Sequence, residues 1–86
     1  MENLKILRKR LLYQSQYRGM REMDWLLGGF AKKYIHKMGH EQLKQLEALL
    51  AFPDQDLYGL FFEKNPIPLQ VADLLMKKIQ DFMDHP

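Results

Sequence analysis

Two groups of residues have types and spacing that could do chemistry: His36 and His40 with Glu41, and the charged run Arg18-Gly19-Met20-Arg21-Glu22-Met23-Asp24. An i, i+4 histidine pair can place two imidazoles on one helix face for a metal, but Gly39 falls between these two and is expected to end the helix. The His-Glu-x-x-His pattern is absent, so surface or capping histidines account for the pair. His85 belongs to a frayed tail. No Ser/His/Asp set has positional support, and the absence of cysteine excludes thiolate catalysis, disulfides and cysteine-based zinc sites. Gly28 and Gly29 lack both the Gly-x-Gly-x-x-Gly spacing and the preceding strand of a dinucleotide-binding loop. The expectation is therefore a protein that is not an enzyme, holds no metal and binds no cofactor stably.

The second group is suited to recognition. Gly19 can enter left-handed backbone without a Cβ penalty and leaves the main chain open to close approach. Arg18 and Arg21 flank it. Glu22 and Asp24 fall in the first turn of a following helix, where carboxylates face unpaired N–H groups and the positive end of the helix dipole. Carboxylates beside arginines suit ordinary ion pairs rather than general-acid work. A helix turn with a dipole-paired glutamate and surface arginines would look the same, and this bland account stands beside the functional one.

The elements that must position this cluster follow from periodicity. Helices are expected near 2–17, 20–38, 41–51, 55–64 and 68–84, with no strand and no internal repeat, which makes an all-α, compact five-helix bundle over 1–86 as one small domain. In the first, Leu4, Leu7 and Leu11 form an apolar edge and the basic residues lie elsewhere. Met20, Met23, Leu27, Phe30, Tyr34 and Met38 make the stripe of the second, with Gly28 and Gly29 marking close packing or a bend. Leu43, Leu46 and Leu50 line the third. Pro53 ends that helix, Asp54 caps the fourth, and Leu57, Leu60 and Phe61 turn inward from it. Pro68 starts the fifth, in which Val71, Leu74, Leu75, the stem of Lys78 and Phe82 line one side. Trp25, Tyr58 and Phe62 could anchor a partner, though burial is the commoner fate of such residues in a small core.

Composition limits the partners. Of 86 residues, 47% are hydrophobic and 28% charged, which fits a globular chain, and no apolar run approaches the roughly 20 residues of a membrane span. The start of the chain lacks the pattern of a secretory signal, so a cytoplasmic location is expected, with no membrane partner. Net charge is +2, but residues 1–37 carry nine Lys/Arg against three Asp/Glu, and residues 38–86 carry four against eight. The halves thus stand at +6 and −4 and can either neutralise each other by packing or offer the first half to an acidic surface or nucleic acid.

The stretch Arg18-Gly19-x-x-Glu22, continuing into Met23-Asp24 and followed by Pro53-Asp54-x-Asp56-Leu57, resembles the SdhE-type succinate dehydrogenase assembly factors, which promote covalent attachment of FAD to the flavoprotein subunit. The likeness extends over the whole chain in length and order of segments. It implies an all-α fold and a chaperone-like assembly factor whose partner is the flavoprotein subunit of succinate dehydrogenase, and by extension that of fumarate reductase. It further implies that Gly19 allows close contact with the client, that Arg18 and Glu22 supply polar contacts near its FAD-bearing region, and that Arg21 and Asp24 border the patch. The flavin chemistry would belong to the client, so FAD is implied only as the client's cofactor. Tyr17 departs from the pattern, standing where many relatives have a second arginine, and position 21 varies among them. The alternatives are a small helical nucleic-acid-binding regulator or antitoxin-like protein using the basic N-terminal half and the junction at Gly19, with Tyr17, Arg18 and Arg21 on phosphate or bases, and an interaction bundle with an unrelated client.

Overall fold

The computed structural model describes residues 3–86. Its elements are helix α1 (Leu4–Gln16), α2 (Arg21–Tyr34) running into a 3-10 turn (Ile35–Lys37), α3 (His40–Leu50), α4 (Asp54–Phe62) and α5 (Asp73–Asp84). Glu2, assigned above to the first helix, lies outside the described residues. The side chain of Asn3 caps α1 by accepting a hydrogen bond from the Ile6 N–H at 2.9 Å. At the other end the chain leaves the helix at Tyr17 and passes Gly19 with φ 91°, the left-handed backbone expected there. Helix α2 has Glu22 and Asp24 in its first turn and Lys32 and Lys33 in its last, both arranged with the helix dipole.

Helix α2 is the central element, packed against α1, α4 and α5, while α3 packs on α1 and α5. Its buried residues are Met23, Leu26, Leu27, Gly28, Phe30 and Ala31. The two glycines are where neighbours come closest. A Cβ on Gly28 would lie 3.3 Å from the Gln16 Cα, and one on Gly29 would lie 2.9 Å from the tip of the Phe82 ring. Those glycines let α1 and α5 press onto α2, which outweighs the roughly 1 kcal/mol that each costs a helix relative to alanine.

Three expectations need correction. Helix α5 starts at Asp73 rather than at Pro68, because Pro68 instead opens a turn closed by the Val71 N–H donating to the Pro68 carbonyl at 3.0 Å. Val71 is buried by that turn, and the later start sets the inward face as Leu75, Met76, Ile79 and Phe82. Leu74 and Lys78 consequently face outward, with Leu74 74% exposed. Met38 is buried, but beyond the end of α2, since the helix tightens into the 3-10 turn before Gly39. Asp54 does not cap α4: Pro53 holds the cap position in extended backbone, Asp54 is the first helical residue, and its carboxylate goes elsewhere.

Leu7 and Leu11 are buried as expected of α1, whereas Leu4 is exposed at the edge of the bundle. Leu43, Leu46, Leu49, Leu57, Leu60 and Phe61 complete the core from α3 and α4. Burying each such side chain contributes about 1.5–3 kcal/mol, and a core built from all five helices holds the four-residue connection 17–20 as a rigidly anchored short loop.

Candidate functional site

The junction between α1 and α2 is built from the residues singled out by sequence, and the structure divides them into two sets. Gly19, Arg21 and Glu22 are exposed. Beyond its two chain neighbours, no atom of the described residues lies within 4 Å of where a Gly19 Cβ would stand, so the main chain there is open. Neither Arg21 nor Glu22 has an ion pair or side-chain hydrogen bond among the described residues, contrary to the pairing expected from their sequence neighbours. Spacing explains the difference: adjacent helical positions do not face each other, and Glu22 and Arg18 are separated by the non-helical turn. One edge of the molecule thus presents a bare peptide, a cation and an anion with no internal partner.

Arg18 and Asp24 form the second set and turn inward. The Arg18 Nε donates to Asp54 Oδ1 at 2.7 Å, Nη1 donates to the Leu50 carbonyl at 2.7 Å, and Nη2 donates to the Phe52 carbonyl at 2.8 Å. Its side chain is only 12% exposed. Leu50 is the last residue of α3, so its carbonyl is among those a helix end leaves without an internal partner, and a cation there also complements the dipole. Asp54 opens α4, where a carboxylate is favoured for the converse reason. Asp24 accepts from the Arg18 backbone N–H at 2.6 Å. The expectation that Arg18 supplies a polar contact to a partner therefore meets a guanidinium already bonded in three directions inside the fold.

Sequence reasoning missed Asp54 and the two carbonyls as partners of Arg18. The available signal was the Pro53-Asp54 segment, which came with the family pattern but was read as a helix cap. Aromatic residues border the exposed edge. Tyr13 and Tyr17 are 65% and 68% exposed with ring centroids 4.6 Å apart, and Trp25 remains 47% exposed while leaning on Phe82 at 6.2 Å. A shallow groove of about 610 Å³ runs between Tyr17, Asp24, Trp25 and Lys32 over the Gly28-Gly29 floor. Phe62 is also exposed and stacks on Tyr58 at 4.9 Å, on α4.

The histidines are not gathered. His36 lies in the 3-10 turn, and His40 opens α3 beyond the break at Met38 and Gly39. Among the described residues no group of three His, Asp or Glu side chains could hold a metal ion. Elsewhere, Arg10 pairs with Glu47 and ties α1 to α3, and Lys44 pairs with the same carboxylate from within α3. The Arg10 hydrogen bond holds the Glu47 carboxyl below its ordinary value, burial opposes it, and Lys44 adds to the lowering.

The chain is thus a small all-α fold in which an inward ion-pair clamp at Arg18 lies beside an exposed polar edge. The chain belongs to the family described as the flavinator of succinate dehydrogenase, whose model matches residues 9–83 and so includes the whole junction and the Asp54 turn. It is similar to proteins named succinate dehydrogenase assembly factor 2, mitochondrial. The Dictyostelium discoideum protein is 43% identical over 74 residues, covering 86% of this chain and 52% of the relative. The Saccharomyces cerevisiae protein is 42% identical over 82 residues, 91% of this chain and 51% of the relative, and the Danio rerio protein 41% over 83 residues, 94% and 52%. The chain spans about half the length of the curated relatives it matches. Those relatives' names place them in mitochondria, which gives no support to a cytoplasmic location here. No described helix is long and apolar enough to cross a membrane.

Proposed function

We propose that this chain is an FAD assembly factor that binds the flavoprotein subunit of succinate dehydrogenase and promotes its covalent flavinylation, acting as a chaperone rather than as an enzyme. The observation that carries the reading is the family match across 9–83, within which Gly19 and Glu22 form an exposed edge without partners among the described residues. Gly19, Arg21 and Glu22 make the contact; Arg18 and Asp24 belong to the site by shaping it. The client's FAD and its own acceptor side chain supply the covalent chemistry, and this protein favours the client conformation in which they react. The flavoprotein of fumarate reductase is a second client of the same chemistry. The protein works wherever the client matures, in the cytoplasm if the flavoprotein is assembled there.

The nucleic-acid reading loses one of its three junction contacts, because the Nε, Nη1 and Nη2 of Arg18 each donate inside the fold, to Asp54, Leu50 and Phe52. Sequence-specific duplex binding at physiological salt would restore that reading, since nonspecific phosphate binding weakens steeply as salt rises.

Glu22→Ala tests the proposed edge. The exposed first-turn carboxylate contributes about 0.3–1 kcal/mol to the helix, whereas a charged contact desolvated in an interface is worth about 2–5 kcal/mol of binding. Covalent flavin fluorescence of the flavoprotein, measured in cells expressing the variant, should fall sharply while its melting curve stays close to the parent. Parental flavinylation by a well-expressed Glu22→Ala protein would remove Glu22 from the site.

A further inference from the structure

Arg18 and Asp54 are 36 residues apart in sequence, yet they join the α1–α2 junction to the start of α4. Three features of the contact go beyond what a stabilising ion pair requires. First, the guanidinium is a planar fork whose three bonds run to three different residues of one turn, Leu50, Phe52 and Asp54, which fixes its orientation as well as its position. Second, residue 18 is held from both ends, because its backbone N–H donates to Asp24 on α2 while its side chain reaches the α3–α4 turn. Third, the residue that follows is Gly19, whose φ of 91° lies in a region glycine enters freely and leaves as freely. Something outside the glycine must select that conformation, and the clamped residue before it is placed to do so. Partly burying an ion pair is an inefficient route to stability, since apolar residues of similar volume often do as well.

We propose that Asp54 is a positioning residue for the exposed edge: by holding Arg18 it fixes the path from α1 into α2 and so presents Gly19 and Glu22 in one geometry. This rests on the reading of that edge as the client-binding surface. The Pro53-Asp54 turn and the Arg18-Gly19 turn are then one device, in which the first turn touches no client but sets the shape of the second. Loosening the clamp lowers the fraction of molecules with a binding-competent edge, and the apparent dissociation constant rises by the inverse of that fraction. The contact groups themselves are untouched, so saturating assembly factor restores full flavinylation.

The experiment compares Asp54→Ala, Asp54→Asn and Glu22→Ala with the parent, measuring affinity for purified flavoprotein, flavinylation against assembly-factor concentration, and hydrogen exchange of individual amides. Affinities are compared at a temperature where melting curves show each variant fully folded. Asp54→Ala should weaken binding about tenfold if competence falls to about a tenth, with an unchanged flavinylation plateau. Asp54→Asn, which keeps an acceptor oxygen, should lie between it and the parent. Exchange should accelerate at the Arg18 amide, which donates to Asp24 in the parent, while the amides of Leu26 and Leu27 keep parental protection. If Asp54→Ala does not fold, Arg18→Lys, which keeps the charge but loses the fork, takes its place under the same criteria. Parental affinity and parental Arg18 amide exchange in a folded Asp54→Ala protein, with Glu22→Ala impaired, would overturn this proposal alone. Parental binding by Glu22→Ala would overturn the client-edge reading and this proposal with it.

Discussion

Gly19→Ala separates backbone geometry from space more cleanly than any other substitution in this protein. At φ 91° an L side chain is strained, and the usual cost of left-handed backbone for a non-glycine residue is about 1–2 kcal/mol. No steric term from elsewhere in the fold adds to it, because beyond the chain neighbours nothing among the described residues lies within 4 Å of the new methyl group. For a domain of this size each kcal/mol moves the melting temperature by roughly 4–8 °C, so the variant should melt roughly 4–16 °C below the parent. Gly39→Ala is the matched control. Its Cβ would also meet nothing within 4 Å, but its φ of −80° is ordinary, and the weaker capping preference of alanine is offset by a less flexible unfolded chain. Thermal melts followed by circular dichroism read both. Equal melting of Gly19→Ala and the parent would refute the argument that the left-handed turn is required, and equal losses at both glycines would show that the effect is not one of φ.

Gly29→Ala tests the contact between α2 and α5. The new methyl group would stand 2.9 Å from the Phe82 ring, which is itself boxed in by Trp25, Phe30 and Tyr34. Overpacking of about 1–3 kcal/mol, offset by about 1 kcal/mol of helix propensity, predicts a net loss of up to about 2 kcal/mol. In a Phe82→Leu background the same substitution should become neutral or stabilising, and an identical effect in both backgrounds would exclude the ring contact as its cause. Glu47→Gln addresses pH. Because the folded carboxyl is held below its ordinary value of 4.5, chiefly by Arg10, its contribution is present above that value and is lost as pH falls through the folded one. At about a third exposed the pair is worth about 0.2–1 kcal/mol, so the variant should be less stable by that amount near neutrality and converge with the parent in acid. A difference that persists unchanged to pH 3 in chemical denaturation would show that the ion pair is not responsible.

What was legible in the sequence depended on whether the deciding force was local. Helix existence was legible because the stripe Met23, Leu27 and Phe30 repeats at helical spacing, and Gly19 was legible as a left-handed stop because glycine is the residue for that conformation. The start of α5 was not, because Pro68 is equally suited to open a helix or a turn. The structure takes the turn, closed by the Val71 N–H on the Pro68 carbonyl, and enters α5 only after Ala72 in extended backbone. The same limit governed the site. Nothing near Arg18 in sequence distinguishes an arginine held out to a partner from one folded under the surface, since its acceptors are a helix-end carbonyl at Leu50, a turn carbonyl at Phe52 and a carboxylate at Asp54. Backbone carbonyls leave no mark in a sequence, because every residue has one. Asp54 does leave a mark, but next to Pro53 and before an apolar helix it reads as a cap, a role that its carboxylate gives up in favour of the guanidinium. A motif matched letter by letter thus contains residues of two kinds. Gly19 and Glu22 stay at the surface with no partner among the described residues, and Arg18 closes over a distant turn, so exposure and bonding divide a set that spacing alone leaves undivided.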